Sequence, residues 1–179
     1  MTWRWLKYVA GFTIPAATAI SFLSEGYGTW LAIFYGFVIL PTLELFLPSS
    51  RTNLTAAEVE VVKEDKGYDW MLWSMVLVQY ALLVWFLFDL STGTRDMWSF
   101  EWWGFVLAMG LSCSILGINV AHELGHRREK HNQLMAQALL TTSLYTHFFI
   151  EHNQGHHRNV ATEEDPGTAR RNEWLQVFW

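Results

Sequence analysis

A single cysteine, Cys113, means that no internal disulfide and no four-cysteine iron or zinc centre can be built from this chain alone. Positive charge is also scarce: 12 Lys and Arg stand against 17 Asp and Glu, for a net charge of -5, with no basic stripe. That balance excludes nucleic acid as a partner. Charged residues make up only 16% of the sequence and are absent from five long runs, 8–24, 26–43, 70–88, 102–121 and 132–150, about half of the chain. No internal repeat or low-complexity tract is present. No small-residue cleavage pattern follows Met1-Thr2-Trp3-Arg4, so the first run reads as a retained helix rather than a signal peptide.

A helix rises about 1.5 Å per residue and needs roughly 20 apolar residues to cross a bilayer core. At least four of the five runs meet that length. The fold class expected is therefore all-α: a polytopic integral membrane bundle of about four transmembrane helices plus a re-entrant or interfacial helix. The expected helices are 5–24, 26–47, 70–90, 102–126 and 132–152, in a single domain over 1–179. Pro15 and Pro41 predict kinks in the first two helices, which the short Ser24–Gly28 break joins as a hairpin. The charged loop 48–69 reads as solvent-facing, with Thr55 and Glu58 spaced to cap a short surface helix. Trp3, Trp5, Trp30, Trp70, Trp73, Trp98, Trp102 and Trp103 fall near helix ends, as an interfacial aromatic belt requires. Phe37, Met75, Leu77, Leu83, Phe105 and Met109 are candidates to line an apolar channel, with ordinary packing or lipid contact the simpler reading. Cys113, between Ser112 and Ser114, reads as a small packing residue.

Loop charge sets the orientation. With the amino terminus cytoplasmic, four crossings, and a fifth run that does not cross, every Lys and Arg except Arg95 lies inside. A crossing fifth run would move Arg158, Arg170 and Arg171 outside, leaving eight against four.

Five of the seven histidines lie in two short boxes, His122-Glu123-Leu124-Gly125-His126 and Glu151-His152-Asn153-Gln154-Gly155-His156-His157. On an α-helix, positions four apart share a face, so His122 pairs with His126 and His152 with His156. His157, about 100° round from His156, suits a second metal or another coordination position. Clustered imidazoles where helices meet the membrane surface point to metal chemistry, because ionisable groups near membrane depth are costly. His131 reads as solvated, and His147 as packed or as a support to the ligands rather than ligating. Imidazole suits several metals. His122, Glu123 and His126 alone also fit a HExxH zinc protease, with Glu123 as general base. A catalytic zinc takes three protein ligands, however, and five imidazoles exceed that need, which argues for two metals. Both boxes must then lie on one side of the membrane, so the fifth run dips in and returns or lies along the surface.

The string from Glu151 to Thr162, followed by Asp165-Pro166, resembles the second histidine box of the membrane-bound alkane hydroxylases, the alkane 1-monooxygenases. His122 to His126 with Arg127 resembles their first box, and Pro41-Thr42-Leu43-Glu44 is similar to their sequence too. The resemblance implies a cytoplasm-facing, histidine-held non-haem di-iron site in the inner membrane. That site would use dioxygen to hydroxylate the terminal carbon of medium-chain alkanes. Electrons would come from rubredoxin, reduced through NAD(P)H-rubredoxin reductase. Carried over by position, His122, His126, His152, His156 and His157 are iron ligands, and Glu123 and Glu151 are the box acids that orient imidazoles. Family members continue with further histidine boxes, so a fragment of a longer gene product is expected. Xylene monooxygenases and fatty-acyl desaturases carry similar boxes, and Val160-Ala161-Thr162 and Asp165-Pro166 favour the hydroxylase branch. An intramembrane zinc protease or a metal carrier are the readings from other classes. The acidic residues 58–65 read as a solvated face or a donor docking surface.

Overall fold

The computed structural model describes residues 3–47, 53–93 and 95–178, with side chains from Trp5 onward. Trp3 and Arg4, as side chains, and Arg51, which entered the belt and the charge count, lie outside that description. Among the described residues the secondary structure is helical, and four helices are long and apolar enough to cross a membrane. They are α1 (Trp5–Leu23), α2 (Gly26–Phe46), α4 (Gly67–Thr92) and α5 (Phe100–Gly125), with the surface helix α3 (Ala56–Lys63) between the second and third. Helices are the economical choice in lipid because each satisfies its backbone internally.

Local sequence explains the boundaries. At α3, Thr55 accepts from the Glu58 amide while the Glu58 carboxylate accepts from the Thr55 amide, the expected capping box. Ser99 caps α5 through the Trp102 amide, and Gly93 ends α4 at φ +63°. Both prolines sit where the winding changes. The chain is wound as a 3-10 helix over Trp3–Phe12 and turns α-helical just before Pro15. In α2, a widened π turn over Tyr35–Ile39 precedes Pro41. Proline has no N–H and its ring displaces the carbonyl four residues back, so the ladder must close differently there.

Two apolar cores flank α5. Its first half packs Phe105, Ala108 and Met109 against Ala17 and Phe22 of α1, Ala32 of α2 and Leu82 of α4. Its second half packs Leu116, Val120, Ala121 and Leu124 against Met75 and Val76 of α4 and Ala136, Leu139 and Leu140 of α6 (Lys130–Thr142). Met75, Phe105 and Met109 are thus core residues, whereas Phe37 and Leu77 are exposed on the outside of the bundle.

The fifth apolar run differs from the continuous helix 132–152. After α6 it breaks: Tyr145 N–H bonds Leu140 O (2.9 Å), Leu144 N–H bonds Thr141 O (3.1 Å), and Leu144 takes φ +53°. This is a Schellman-type stop with leucine where glycine is usual. α6 spans only about 20 Å by its 1.5 Å rise per residue. It runs alongside α4, with Trp73 Nε1 donating to Asn132 Oδ1 (2.8 Å) and Tyr80 to Ala138 O (2.8 Å). Its end docks on α5, where Ser143 donates to Cys113 O (3.2 Å). Helix α7 (148–159) then brings the second box back beside the end of α5, where His152 meets His122.

A polar knot centred on the buried Gln79 and Ser112 fixes the docking. Gln79 accepts from Ser112 (2.7 Å) and donates to Thr142 Oγ1 (3.2 Å), with Cys113 Sγ at 3.4 Å from the same amide. A Cβ at Gly117 would lie 2.7 Å from Ser143 Oγ and 2.9 Å from Thr142 Oγ1, so a larger residue there would push these hydroxyls aside where α6 ends against α5. Cys113 is therefore packed and hydrogen-bonded to Thr142 O (3.4 Å).

Candidate metal centre

Helix α5 enters its histidine box through a π-wound stretch, Cys113–Val120, followed by Ala121–Gly125. A second π turn, Glu151–His156, carries the second box. Such widened turns recur at functional sites. At the second turn the Asn153 side chain donates through Nδ2 to Phe149 O (2.9 Å).

Four imidazoles converge. His122 Nε2 lies 2.7 Å from His152 Nε2 and 3.0 Å from His126 Nε2; His152 Nε2 lies 3.3 Å from His126 Nε2 and 3.0 Å from His157 Nε2. Ligand atoms of all four fall within 4.8 Å of one another. Neighbouring nitrogens held about 2.1 Å from one ion sit roughly 3.0–3.4 Å apart, a range that three of these four pairs meet and that the His122–His152 pair undercuts, so the four imidazoles are placed to share one first-row metal ion. Phe148 stacks on His152 (centroids 4.8 Å apart), fixing that ring from behind.

The second box departs from α-helical expectation. His157 would sit about 140° round from His152 on an α-helix, and the widened turn cuts that rotation. His157 therefore joins His152 in the cluster, and His156 does not. The ring of His156 turns to Asp165, with Nδ1 2.8 Å from Oδ2. The Asp165 side chain is fully buried and also accepts from the Thr168 hydroxyl and from the Gly167 amide (2.9 Å).

Electrostatics follow this geometry. Burial, then the facing imidazoles of His122, His157, His126 and His156, pushes the proton affinity of His152 down to about 4. A bare nitrogen is what metal coordination requires. Asp165 is held below the ordinary carboxylate range, first by the Thr168 hydroxyl and then by the Gly167 amide and His156.

The box acids take other places. Glu123 is exposed and lies 3.5 Å from Arg127, which also pairs with Asp69 at the start of α4. Glu151 lines a cavity of 570 Å³ with His122, His152, His156, Ile118 and Phe148. His131 is exposed, edge-on to Trp73 (5.5 Å). His147, expected to be packed, is instead exposed, edge-on to Tyr145 (4.6 Å). Sequence reasoning missed Asp165 as a partner of His156, although Asp165-Pro166-Gly167-Thr168 carries a turn signature nine residues after that histidine.

Residues 98–179 match the family described as Fatty acid desaturase. The chain is 37% identical over 158 residues to the alkane 1-monooxygenase of Pseudomonas putida, covering 85% of this chain and 37% of that protein. Over most of its length the chain is similar to the alkane 1-monooxygenases. Alkane 1-monooxygenase 1 of Alcanivorax borkumensis is 36% identical over 155 residues, covering 85% of this chain and 36% of that protein. The alkane 1-monooxygenase of Ectopseudomonas oleovorans is 35% identical over 166 residues, covering 84% and 40%. The chain thus spans about two fifths of the length of these curated relatives. The resemblance read from the histidine boxes extends over most of this chain.

Proposed function

We propose that this chain supplies the membrane core and the first metal ligands of a non-haem di-iron monooxygenase. The enzyme hydroxylates the terminal carbon of medium-chain alkanes with dioxygen, using electrons from rubredoxin and its NAD(P)H-dependent reductase. The observation that carries this reading is the convergence of four imidazoles from two boxes, in a chain whose relatives are named alkane 1-monooxygenases. The donor set fits the group: His122, His126, His152 and His157 would hold one iron, and His156, whose Nδ1 is engaged by Asp165 instead of joining them, would serve a second. Bound iron supplies dioxygen activation and transfer of one oxygen atom to a C–H bond, the other leaving as water with two electrons and two protons.

The chain's own groups arrange the rest. Ile118, Tyr145 and Phe148 give the cavity an apolar wall beside the histidines, a surface for an alkyl chain rather than for water. With one cysteine these residues hold no rubredoxin-type centre, so the electrons reach them from a centre beyond them. The concentration of Lys and Arg around both boxes supports an inner-membrane protein with the amino terminus and boxes cytoplasmic. Glu123 pairs with Arg127 at the surface, which disfavours the zinc-protease reading.

The test is the full gene product in detergent with octane, labelled dioxygen, rubredoxin, its reductase and NADH. Labelled 1-octanol and two irons per chain by elemental analysis and Mössbauer spectroscopy are expected. One zinc per chain, or no labelled alcohol from iron-loaded protein, overturns the proposal.

A further inference from the structure

Among the described residues Asp165 is the one acidic side chain that is buried, and no iron-ligand role accounts for it. Three donors surround it. The Gly167 amide donates to Oδ1 and the Thr168 hydroxyl to Oδ2, and that hydroxyl in turn accepts from the Ala161 amide (3.0 Å). The third is His156, whose Nδ1 lies 2.8 Å from Oδ2. An ionised carboxylate only accepts, so the hydrogen of this last bond belongs to Nδ1. The lone pair of a neutral ring is then on Nε2, at the far edge of the imidazole. A second constraint acts independently: a Cβ at position 167 would stand 2.9 Å from His156 Nδ1, so the ring rests against a backbone that must be glycine.

We propose that Asp165 is a positioning residue for His156. It holds the ring as the Nδ1–H tautomer, with Nδ1 engaged outside the four-imidazole cluster, so that Nε2 is offered to a different ion at the cavity that His156 lines with His122, His152 and Glu151. Carboxylate partners fix tautomer and ring orientation in this way at metal-binding histidines, and their loss costs about 10–100-fold in metal affinity. The inference rests on the metalloenzyme reading above only in what the ion does.

The test has two readouts on the purified full gene product. The first is the tautomer of His156 in metal-free protein at pH 7.5, read by nitrogen NMR of 15N-histidine-labelled protein and assigned by loss of the signals in His156→Gln. Wild type should show a protonated Nδ1 and a bare Nε2. Asp165→Ala should shift the ring toward Nε2–H, and Asp165→Asn, whose amide oxygen still accepts, should retain the wild-type tautomer. The second readout is an anaerobic Fe(II) isotherm. Asp165→Ala should weaken one step about 10–100-fold and leave the step abolished by His122→Ala in place. Gly167→Ala, which displaces the ring with Asp165 intact, should weaken the same step. A wild-type His156 that is doubly protonated or protonated at Nε2 overturns the proposal, as does an Asp165→Ala protein with the wild-type Fe(II) isotherm. Wild type that binds no iron while His156 keeps the Nδ1–H form overturns the di-iron function and leaves the role of Asp165 toward the ring standing.

Discussion

Replacing Gln79 by leucine removes the centre of the buried knot joining α4, α5 and α6 without opening a large cavity. Two well-formed bonds disappear, from Ser112 at 2.7 Å and to Thr142 at 3.2 Å. Neither hydroxyl is stranded: Thr142 already donates to Leu139 O at 2.7 Å, and Ser112 can turn to a carbonyl of its own helix. Side-chain hydrogen bonds between membrane helices average about 0.6 kcal/mol and reach about 1.7. The pair should therefore be worth about 1–3 kcal/mol, measured by equilibrium unfolding in mixed detergent and SDS. Leu82→Ala, in the other core, serves as a packing control and should lose about 2–5 kcal/mol. If Gln79→Leu equals or exceeds the wild-type stability while the control loses its share, the knot does not hold α6 and the argument fails.

The proton affinity of His152 gives a pH prediction. Its folded value, about 4, lies below the unfolded one, so the unfolded chain takes up a proton that the folded chain refuses. Metal-free protein should lose stability as pH falls from about 6.5 toward about 4, with no contribution from this group above 6.5. Asp165 adds to the loss below the ordinary carboxylate range, because its folded value is also depressed. Denaturant midpoints that rise on acidification from about 6.5 to about 4 contradict the His152 statement, and midpoints that rise on further acidification contradict the Asp165 one. Glu123→Gln should cost at most about 1 kcal/mol and leave metal content unchanged, since the exposed pair with Arg127 is a surface contact. Loss of the metal by elemental analysis would return Glu123 to the site.

Much of the bundle was legible because lipid imposes a coarse, length-based constraint. The charge-free runs locate four spanning helices within a few residues, the third beginning at Gly67 rather than Trp70. Histidine clustering likewise points to the four residues that converge. The helix stop at Leu144 was not legible, since glycine would announce such a turn and leucine does not. The aims of His156 and His157 were misread because periodicity assumes a uniform turn, while the backbone widens between Glu151 and His156. Asp165 escaped because its partner is set by a loop closure, Ala161 to Thr168, that no periodic pattern encodes.

The widened turn of the second box has a consequence for which changes that segment can absorb. The direction of each imidazole depends on how many residues lie between His152 and His157, because losing or gaining one rotates everything beyond it by about 100°. Gln154, exposed and on the outer side of the turn, is free to vary in chemistry. Its deletion would swing His157 out of the cluster while every ligand remained in the chain. The box is thus permissive in composition and strict in length.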